Sequence, residues 1–358
     1  MLVWIWYHNI LIMKPLCPYF GSCGGCSHQH LSYEEELSLK EENLKRRLQK
    51  EFALPENIFQ PIVPSPTPYS YRSRLDLSLR RSRGEIQLGF MAEGTRRMIA
   101  IDTCAIARSE ISSFLPALKL EASAMLPDSY RSANLVVKTD QSGKLRWGGI
   151  GPRSLRVPEE SYFWTEIEGR KIFYSLDTFF QVNLGILPRL MEILRPLLEL
   201  TPETHLLDLY SGVGLFWVVF ATEAKAVWAV EESASSMRVA EFNRRTHGFS
   251  QVFLKEGRTE DCLDEILAEI AGKPQAAIVD PPRKGLNPEA LEKLKRAKSL
   301  SPLIYISCNP DALVRDLEGF LEAGWQTDRV VPFDFFPRTR HLEVAVRLYP
   351  GSRNQRHV

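Results

Sequence analysis

From residue 185 onward, short apolar runs alternate with helical patterns five times over. "HLLDLY" precedes a helix near 215–224, "AVWAV" one at 233–247, "VFLKEG" one at 259–272, "AAIVD" one at 288–298 and "LIYIS" one at 310–323. Strands separated by helix-length segments do not pair as hairpins, because parallel neighbours need a crossover that returns the chain to the same end. The rhythm predicts an α/β fold with a doubly wound parallel sheet, finished by two late strands at "RVVPFDFF" and "LEVAVRLY".

Ligands of such sheets bind outside the carboxyl ends of the strands. The first strand ends in "DLYSGVGLF" (208–216), where Gly212 and Gly214 permit a turn and bring backbone close to a ligand. A lone G-x-G is weak, since many such turns carry glycine. The second strand ends at Glu231, 23 residues after Asp208, where a carboxylate can accept both ribose hydroxyls of an adenosine. The third glycine of a dinucleotide motif is absent, because Phe216 and Trp217 follow. That favours a cofactor without pyrophosphate, such as S-adenosylmethionine, over NAD. The fourth strand ends in "VDPPRKG" (279–285) and the fifth in Cys308, followed by Asn-Pro. A cysteine at a strand end is usually a small buried hydrophobe. Here it shares one crevice with a glycine turn, an acid and a DPP element.

The other cysteines divide differently. Cys17, Cys23 and Cys26 form C-x5-C-x2-C, with Gly24 and Gly25 allowing a tight loop, and no secretory signal suggests disulfide pairing. Three thiolates in ten residues point to a metal centre in a reducing, cytoplasmic setting. Cys104 in "IDTCAIA" is the natural fourth ligand, with His28 and His30 as competing donors. Spacing leaves zinc and an iron–sulfur cluster both open. Cys262 lies in a helical segment and reads as structural.

The first 13 residues are mostly apolar, too few to span a bilayer, and lack a signal-peptide pattern. They read as an upstream start or frayed extension. Residues 32–52 form an amphipathic helix with Ser32 as N-cap, and the proline-rich 61–69 reads as a linker or extended arm. From 70 to 175 the signals are short strands: "RLDLSLR", "EIQLGFM", "RMIAID", "NLVVKTD", "KLRWGG" and "KIFYSL", with a helix at 110–126. The expected division is 1–60 (extension, cysteine loop and helix), 61–175 (β-rich centre) and 176–358 (α/β domain). Net charge is only +1, so no global field demands a nucleic-acid partner. Residues 70–97 nevertheless hold seven Arg against three acids, and Arg suits bidentate phosphate contact.

Taken together, "CPYFGSCGGC" with Cys104, "FFQVN" (179–183), "DLYSGVG", "VDPPRKG", "SCNP" and "HLE" (341–343) resemble the RNA uracil-5-methyltransferase family, and its iron–sulfur branch acting on 23S ribosomal RNA. The likeness runs from about residue 14 to 349. It implies that Cys17, Cys23, Cys26 and Cys104 hold a [4Fe–4S] cluster. It implies that Gln181, Tyr210, Glu231 and Asp280 contact S-adenosylmethionine, with Gly212 and Gly214 in the cofactor turn. Cys308 would be the nucleophile and Glu343 the base. Leu215 stands where the family often has Asn, which removes one polar cofactor contact. Only 16 residues precede Cys17, leaving no room for the oligonucleotide-binding TRAM barrel of some members. RNA would then be held by the central domain and its Arg-rich segment.

The implied chemistry suits these groups. C5 of uracil is a poor nucleophile; thiolate addition at C6 makes it an enolate carbon able to take a methyl group. A base then removes the C5 proton so that the thiol can leave. Arg283 and His341 are the candidates for lowering the thiol's pKa, and Phe179 or Phe180 for stacking on an extruded base. The expected protein is a monomer without membrane attachment, acting on ribosomal or transfer RNA. Two rivals remain: an amino-group methyltransferase, disfavoured by Arg283 where an aromatic would follow the PP element, and a non-catalytic RNA-binding or redox-sensing iron–sulfur protein, disfavoured by intact Cys308 and Glu343.

Overall fold

A computed structural model describes residues 14–351 apart from 83, 84, 93, 96, 128 and 150–156. The N-terminal extension, Arg83 and Arg96 therefore lie outside the described residues. Helix α1 (Tyr33–Phe52) begins at a reciprocal capping box. Ser32 Oγ accepts from the Glu35 N–H (3.2 Å) and Glu35 Oε2 accepts from the Ser32 N–H (2.8 Å).

Strands β1 (Arg74–Ser82), β2 (Glu85–Met91) and β3 (Met98–Ala100), helix α2 (Ser109–Met125), and strands β4 (Ser132–Thr139) and β5 (Leu145–Gly149) follow. The five strands form an antiparallel sheet in the order β3-β2-β1-β4-β5. Alternation along "RLDLSLR" sends Leu75, Leu77 and Leu79 into a core shared with Ile111, Leu115 and Leu118 of α2. The other face is open. Arg74, Ser78, Arg80, Asn134 and Trp147 line a groove of about 1160 Å³ there. The arginines are already engaged: Arg74 is paired with Asp76 (2.7 Å) and Arg81 donates to the Leu126 carbonyl (3.1 Å).

A hairpin, β6 (Phe163–Ile167) and β7 (Arg170–Tyr174), precedes helix α3 (Leu187–Leu198). Neither β6 nor α3 was expected from the sequence. The signal for α3 is plain in retrospect: Leu187, Leu190, Met191, Leu194 and Leu198 recur at helical spacing and all are buried. Hairpin residues Phe163, Ile167, Ile172 and Tyr174 pack into the same core as α3, so the hairpin belongs with the large sheet in packing terms.

That sheet comprises β8 (His205–Leu209), β9 (Ala226–Glu231), β10 (Val252–Glu256), β11 (Gln275–Val279), β12 (Leu300–Ser307), β13 (Trp325–Phe333) and β14 (Glu343–Pro350). Its order is β10-β9-β8-β11-β12-β14-β13. Strands β8 to β12 are parallel, as the βαβ rhythm requires; β14 runs antiparallel between β12 and β13. Helices α4 (Leu215–Phe220) and α5 (Ala234–His247) share one face with α3. Helices α6 (Thr259–Glu269), α7 (Pro288–Arg296) and α8 (Pro310–Glu322) share the other with α1. Within β8, Leu206 faces the first group and Leu207 and Leu209 the second. No helix among the described residues is long and apolar enough to cross a membrane.

The proline-rich stretch is not a free linker. Gln60 N–H donates to the Val330 carbonyl (2.9 Å) and Val63 N–H to that of Pro332 (2.8 Å), so 59–63 lies along β13. The prolines at 61 and 64 fall where no donation to β13 is needed. Beneath this edge, Lys40 of α1 is buried between Glu36 and Asp334, each at 2.7 Å. Tyr33 Oη donates to the other Asp334 oxygen (2.8 Å). Removing the shared cation strands two buried acids. Lys40→Met is expected to lower stability by about 3–5 kcal/mol in urea unfolding; a loss under about 1 kcal/mol would show that other contacts hold α1 in place.

Candidate active site and cysteine centre

Cys308 follows β12 directly and Glu343 opens β14. The antiparallel register runs to Ser307 opposite Val344, which leaves Cys308 and Glu343 as the next residues along the two chains at the same end of the pair. Directly opposed residues of such strands have Cα atoms about 4.5–5.5 Å apart. The 34 residues between them in sequence are thus spanned by α8, β13 and the turn into β14. Asp280 leaves the neighbouring β11, which is in register with β12 through Val279 and Tyr305.

Burial and like charge dominate here. Glu343 is 3% exposed, and burial, with Asp280 nearby, holds its carboxyl well above the usual range; Arg283 opposes this. Burial raises Asp280 to about 7. The half-buried Cys308 thiol is pushed up to about 11 by burial, then by Glu343 and Asp280, while Arg283 pulls it down. Of the two groups expected to activate the thiol, Arg283 acts in that direction. His341 does not: burial, Arg283 and Arg340 lower it to about 4, so it is uncharged at neutral pH.

The loops that carry these groups are tied together by residues the sequence reading passed over. Asn309 caps α8 by accepting from the Asp311 N–H (3.0 Å) and donates to the Arg283 carbonyl (2.9 Å), joining the SCNP and DPPR turns. Asp316, fully buried, accepts from the Leu286 N–H (2.8 Å) and Tyr305 Oη (2.5 Å). The Asn-Pro pair after a strand was a legible capping signal for Asn309. Asp316 had none, because its partners are distant in sequence.

At the ends of β8 and β9, a cavity of about 390 Å³ is lined by Tyr210, Glu231, Thr259, Pro282 and Asn287. Gly212 (φ +56°) and Gly214 (φ +104°) make the turn; a side chain at Gly214 would meet Trp217 at 2.2 Å. Glu231 accepts from the Gly212 N–H (3.0 Å) and the Ser233 N–H (2.8 Å), which presents its carboxylate beside the turn. Gln181 is half-buried and does not line this cavity; nor do Asp280, Cys308 or Glu343. Of the two phenylalanines, Phe180 is core, stacked on Tyr174 at 4.2 Å, whereas Phe179 is 65% exposed. Cys262 packs at the edge of the core beside α6, a structural position.

Cys17, Cys23, Cys26 and Cys104 line one small cavity of about 50 Å³, walled by Leu75, Phe90, Ile101 and Ile106. A Cβ at Gly25 would sit 3.4 Å from Cys23 Sγ, so glycine lets the backbone close on the sulfur. His28 and His30 do not line the cavity; His28 faces Glu36 at 3.8 Å. Gln29, missed in the sequence, is buried and accepts from the Cys17 N–H (3.0 Å). Among the described residues, no three His, Cys, Asp or Glu side chains converge as they would on a single metal ion.

The chain resembles known proteins along most of its length. It is 28% identical over 361 residues to the 23S rRNA (uracil(1939)-C(5))-methyltransferase RlmD of Klebsiella pneumoniae, covering 93% of this chain and 80% of that one. A protein of the same description from Marinomonas sp. is 28% identical over 370 residues, covering 95% and 82%. In fold it is similar to the Pyrococcus abyssi tRNA (uracil-54, C5)-methyltransferase solved with S-adenosyl-L-homocysteine. The TM-score is 0.69 at 22% identity, over 92% of this chain and 86% of that one. The sequence profile described as tRNA (Uracil-5-)-methyltransferase matches residues 160–350, from the β6 hairpin to the end of β14. On that match the chain belongs to the tRNA (uracil-5-)-methyltransferase family and is an RNA uracil-5-methyltransferase.

Proposed function

We propose that this enzyme methylates C5 of a uridine in 23S ribosomal RNA, with Cys308 as nucleophile and Glu343 as base. The observation that carries the assignment of roles is the β12–β14 register, which opposes a thiol and a carboxyl at the carboxyl end of the sheet. Ribosomal RNA is favoured over transfer RNA by the RlmD relatives, which cover over 90% of the chain.

In this mechanism Cys308 Sγ adds to C6, and the C5–C6 electron pair moves toward O4. S-adenosylmethionine supplies the methyl group and leaves as the neutral thioether. The Glu343 carboxylate takes the C5 proton, C5=C6 re-forms and the S–C6 bond breaks with its electron pair on sulfur, returning Cys308 as the thiolate and leaving Glu343 protonated. Tyr210, Gly212, Gly214, Glu231 and Asp280, with Gln181 from the preceding loop, would surround the donor. Exposed Phe179 would stack on the flipped base. The open face of the five-stranded sheet, with Arg74, Arg80, Asn134 and Trp147, offers a place for the RNA strand. Incubation with labelled S-adenosylmethionine and either 23S or transfer RNA tests the reading. We expect 5-methyluridine in 23S RNA, none with Cys308→Ala, and a denaturation-stable RNA adduct with Glu343→Gln. Methylation of transfer RNA alone would replace the substrate; methylation by Cys308→Ala would remove the nucleophile.

The raised thiol predicts a pH dependence. Below a pKa of about 11, the thiolate fraction of Cys308 grows tenfold per pH unit. Alkylation of Cys308 by iodoacetamide, read by peptide mass spectrometry, should therefore climb from pH 7 to pH 9 without a plateau. Arg283→Gln removes the one cation pulling the pKa down, so it should slow the neutral-pH reaction further. A plateau below pH 8 would mean that the thiol is already activated in the free enzyme.

We further propose that Cys17, Cys23, Cys26 and Cys104 hold a [4Fe–4S] cluster. Four thiols on one apolar-walled cavity match the donor set of such a cluster. The cluster would supply structural support, since methyl transfer consumes no electrons. Anaerobically purified protein should contain about four irons per chain; stoichiometric zinc without iron or sulfide would overturn the assignment.

A further inference from the structure

Glu343 is the first residue of β14, and its side chain is buried. Its position is set by its backbone. On one side that backbone is fixed by the β14 register; on the other it emerges from residues 334–342, which are held from outside the sheet.

The hold converges on Arg338. This residue has φ +65°, a conformation that side-chain-bearing residues rarely keep unless their surroundings impose it, and it is 5% exposed. Its N–H donates to Glu36 Oε1 of α1 (2.7 Å). Its carbonyl accepts from the N–H groups of Ser27 (2.9 Å) and His28 (3.1 Å), immediately after Cys26. Its guanidinium donates to the Leu31 carbonyl (2.9 Å), lies 3.6 Å from Glu36 Oε2, and stacks over Tyr33 (5.3 Å) and Tyr69 (4.7 Å). Toward the site, His341 N–H donates to Thr339 Oγ1 (3.2 Å), and Thr339 Oγ1 to the Phe336 carbonyl (2.7 Å). Only four residues separate Arg338 from Glu343.

We propose that Arg338 is a positioning residue for the release step. It clamps the segment that leads into β14 onto the cysteine loop and α1, and so keeps Glu343 where it can take the C5 proton opposite Cys308. The inference rests on the reading of Glu343 as the base. Through the same clamp the cysteine loop reaches the segment leading to Glu343, because the N–H groups of Ser27 and His28 donate to the Arg338 carbonyl.

The test compares wild type, Arg338→Gly, Arg338→Lys and Glu343→Gln with an RNA fragment and labelled S-adenosylmethionine, quenched in denaturant. Glycine keeps the left-handed backbone without strain and deletes the side-chain clamp. Arg338→Gly should accumulate methylated RNA adduct at least tenfold above wild type. Its kcat should fall about as far while its KM for RNA stays within twofold. Arg338→Lys keeps a cation near the tyrosines but loses the planar fork, and should accumulate adduct to an intermediate level. The proposal is overturned if Arg338→Gly turns over like wild type, or if it loses adduct formation and release together. If Glu343→Gln accumulates no adduct, the base assignment fails and the proposal with it. If Glu343→Gln accumulates adduct and folded Arg338→Gly does not, the positioning role alone fails. Should circular dichroism show Arg338→Gly unfolded, Arg338→Lys decides: accumulation supports the role and its absence overturns it.

Discussion

The insertion of β14 between β12 and β13 is the pairing on which the site depends. The parallel strands bring their carboxyl ends to one edge, but only an antiparallel strand can start at that edge. Because β14 runs the other way, its first residue lies beside the last residues of β12, and a carboxyl faces a thiol. A slip of one residue would turn Glu343 to the opposite face, where the core beneath α6 to α8 would receive a charge. The alternating Val344, Ala345 and Val346, buried against both helical layers, make that slip costly.

The chemistry of the crevice follows from crowding acids into a place with little water. Desolvation raises Glu343, Asp280 and Cys308 alike; Asp280 further raises Glu343, and both acids further raise Cys308. Arg283 is the cation opposing them, held in place through its carbonyl by Asn309. A crevice that is reluctant to carry negative charge in its resting state suits a reaction partner that arrives as a sulfonium cation and departs neutral.

The same interplay of burial and charge joins the two ends of the chain. Lys40, Glu36, Asp334 and Arg338 form a buried ionic cluster in which α1 and the segment before β14 each supply one cation and one acid, with Lys40 pairing across to Asp334 and Arg338 across to Glu36. Through it the cysteine loop, α1 and the approach to β14 behave as one mechanical unit. Docking of residues 59–63 along β13 covers the sheet edge and completes that unit.

Much of this was legible in the sequence because it rests on local periodicity. The βαβ rhythm, the G-x-G turn, the Ser32 capping box and the leucine alternation of β1 each repeat at a spacing set by backbone geometry. The helix α3 was equally periodic and was overlooked beside a stronger pattern. Motif resemblance added the roles of Cys308 and Glu343, which residue types alone would have left as a buried thiol and a surface acid. The α/β fold class was legible from local spacing alone, and the four cysteines that share one cavity were singled out through motif resemblance. Folding is what brings Cys308 and Glu343 to one end of the sheet, buries Phe180 while exposing Phe179, lowers the His341 pKa, and ties Arg338 to the cysteine loop. Those facts depend on burial and on pairings across hundreds of residues, and neither quantity is encoded in any local stretch of chain.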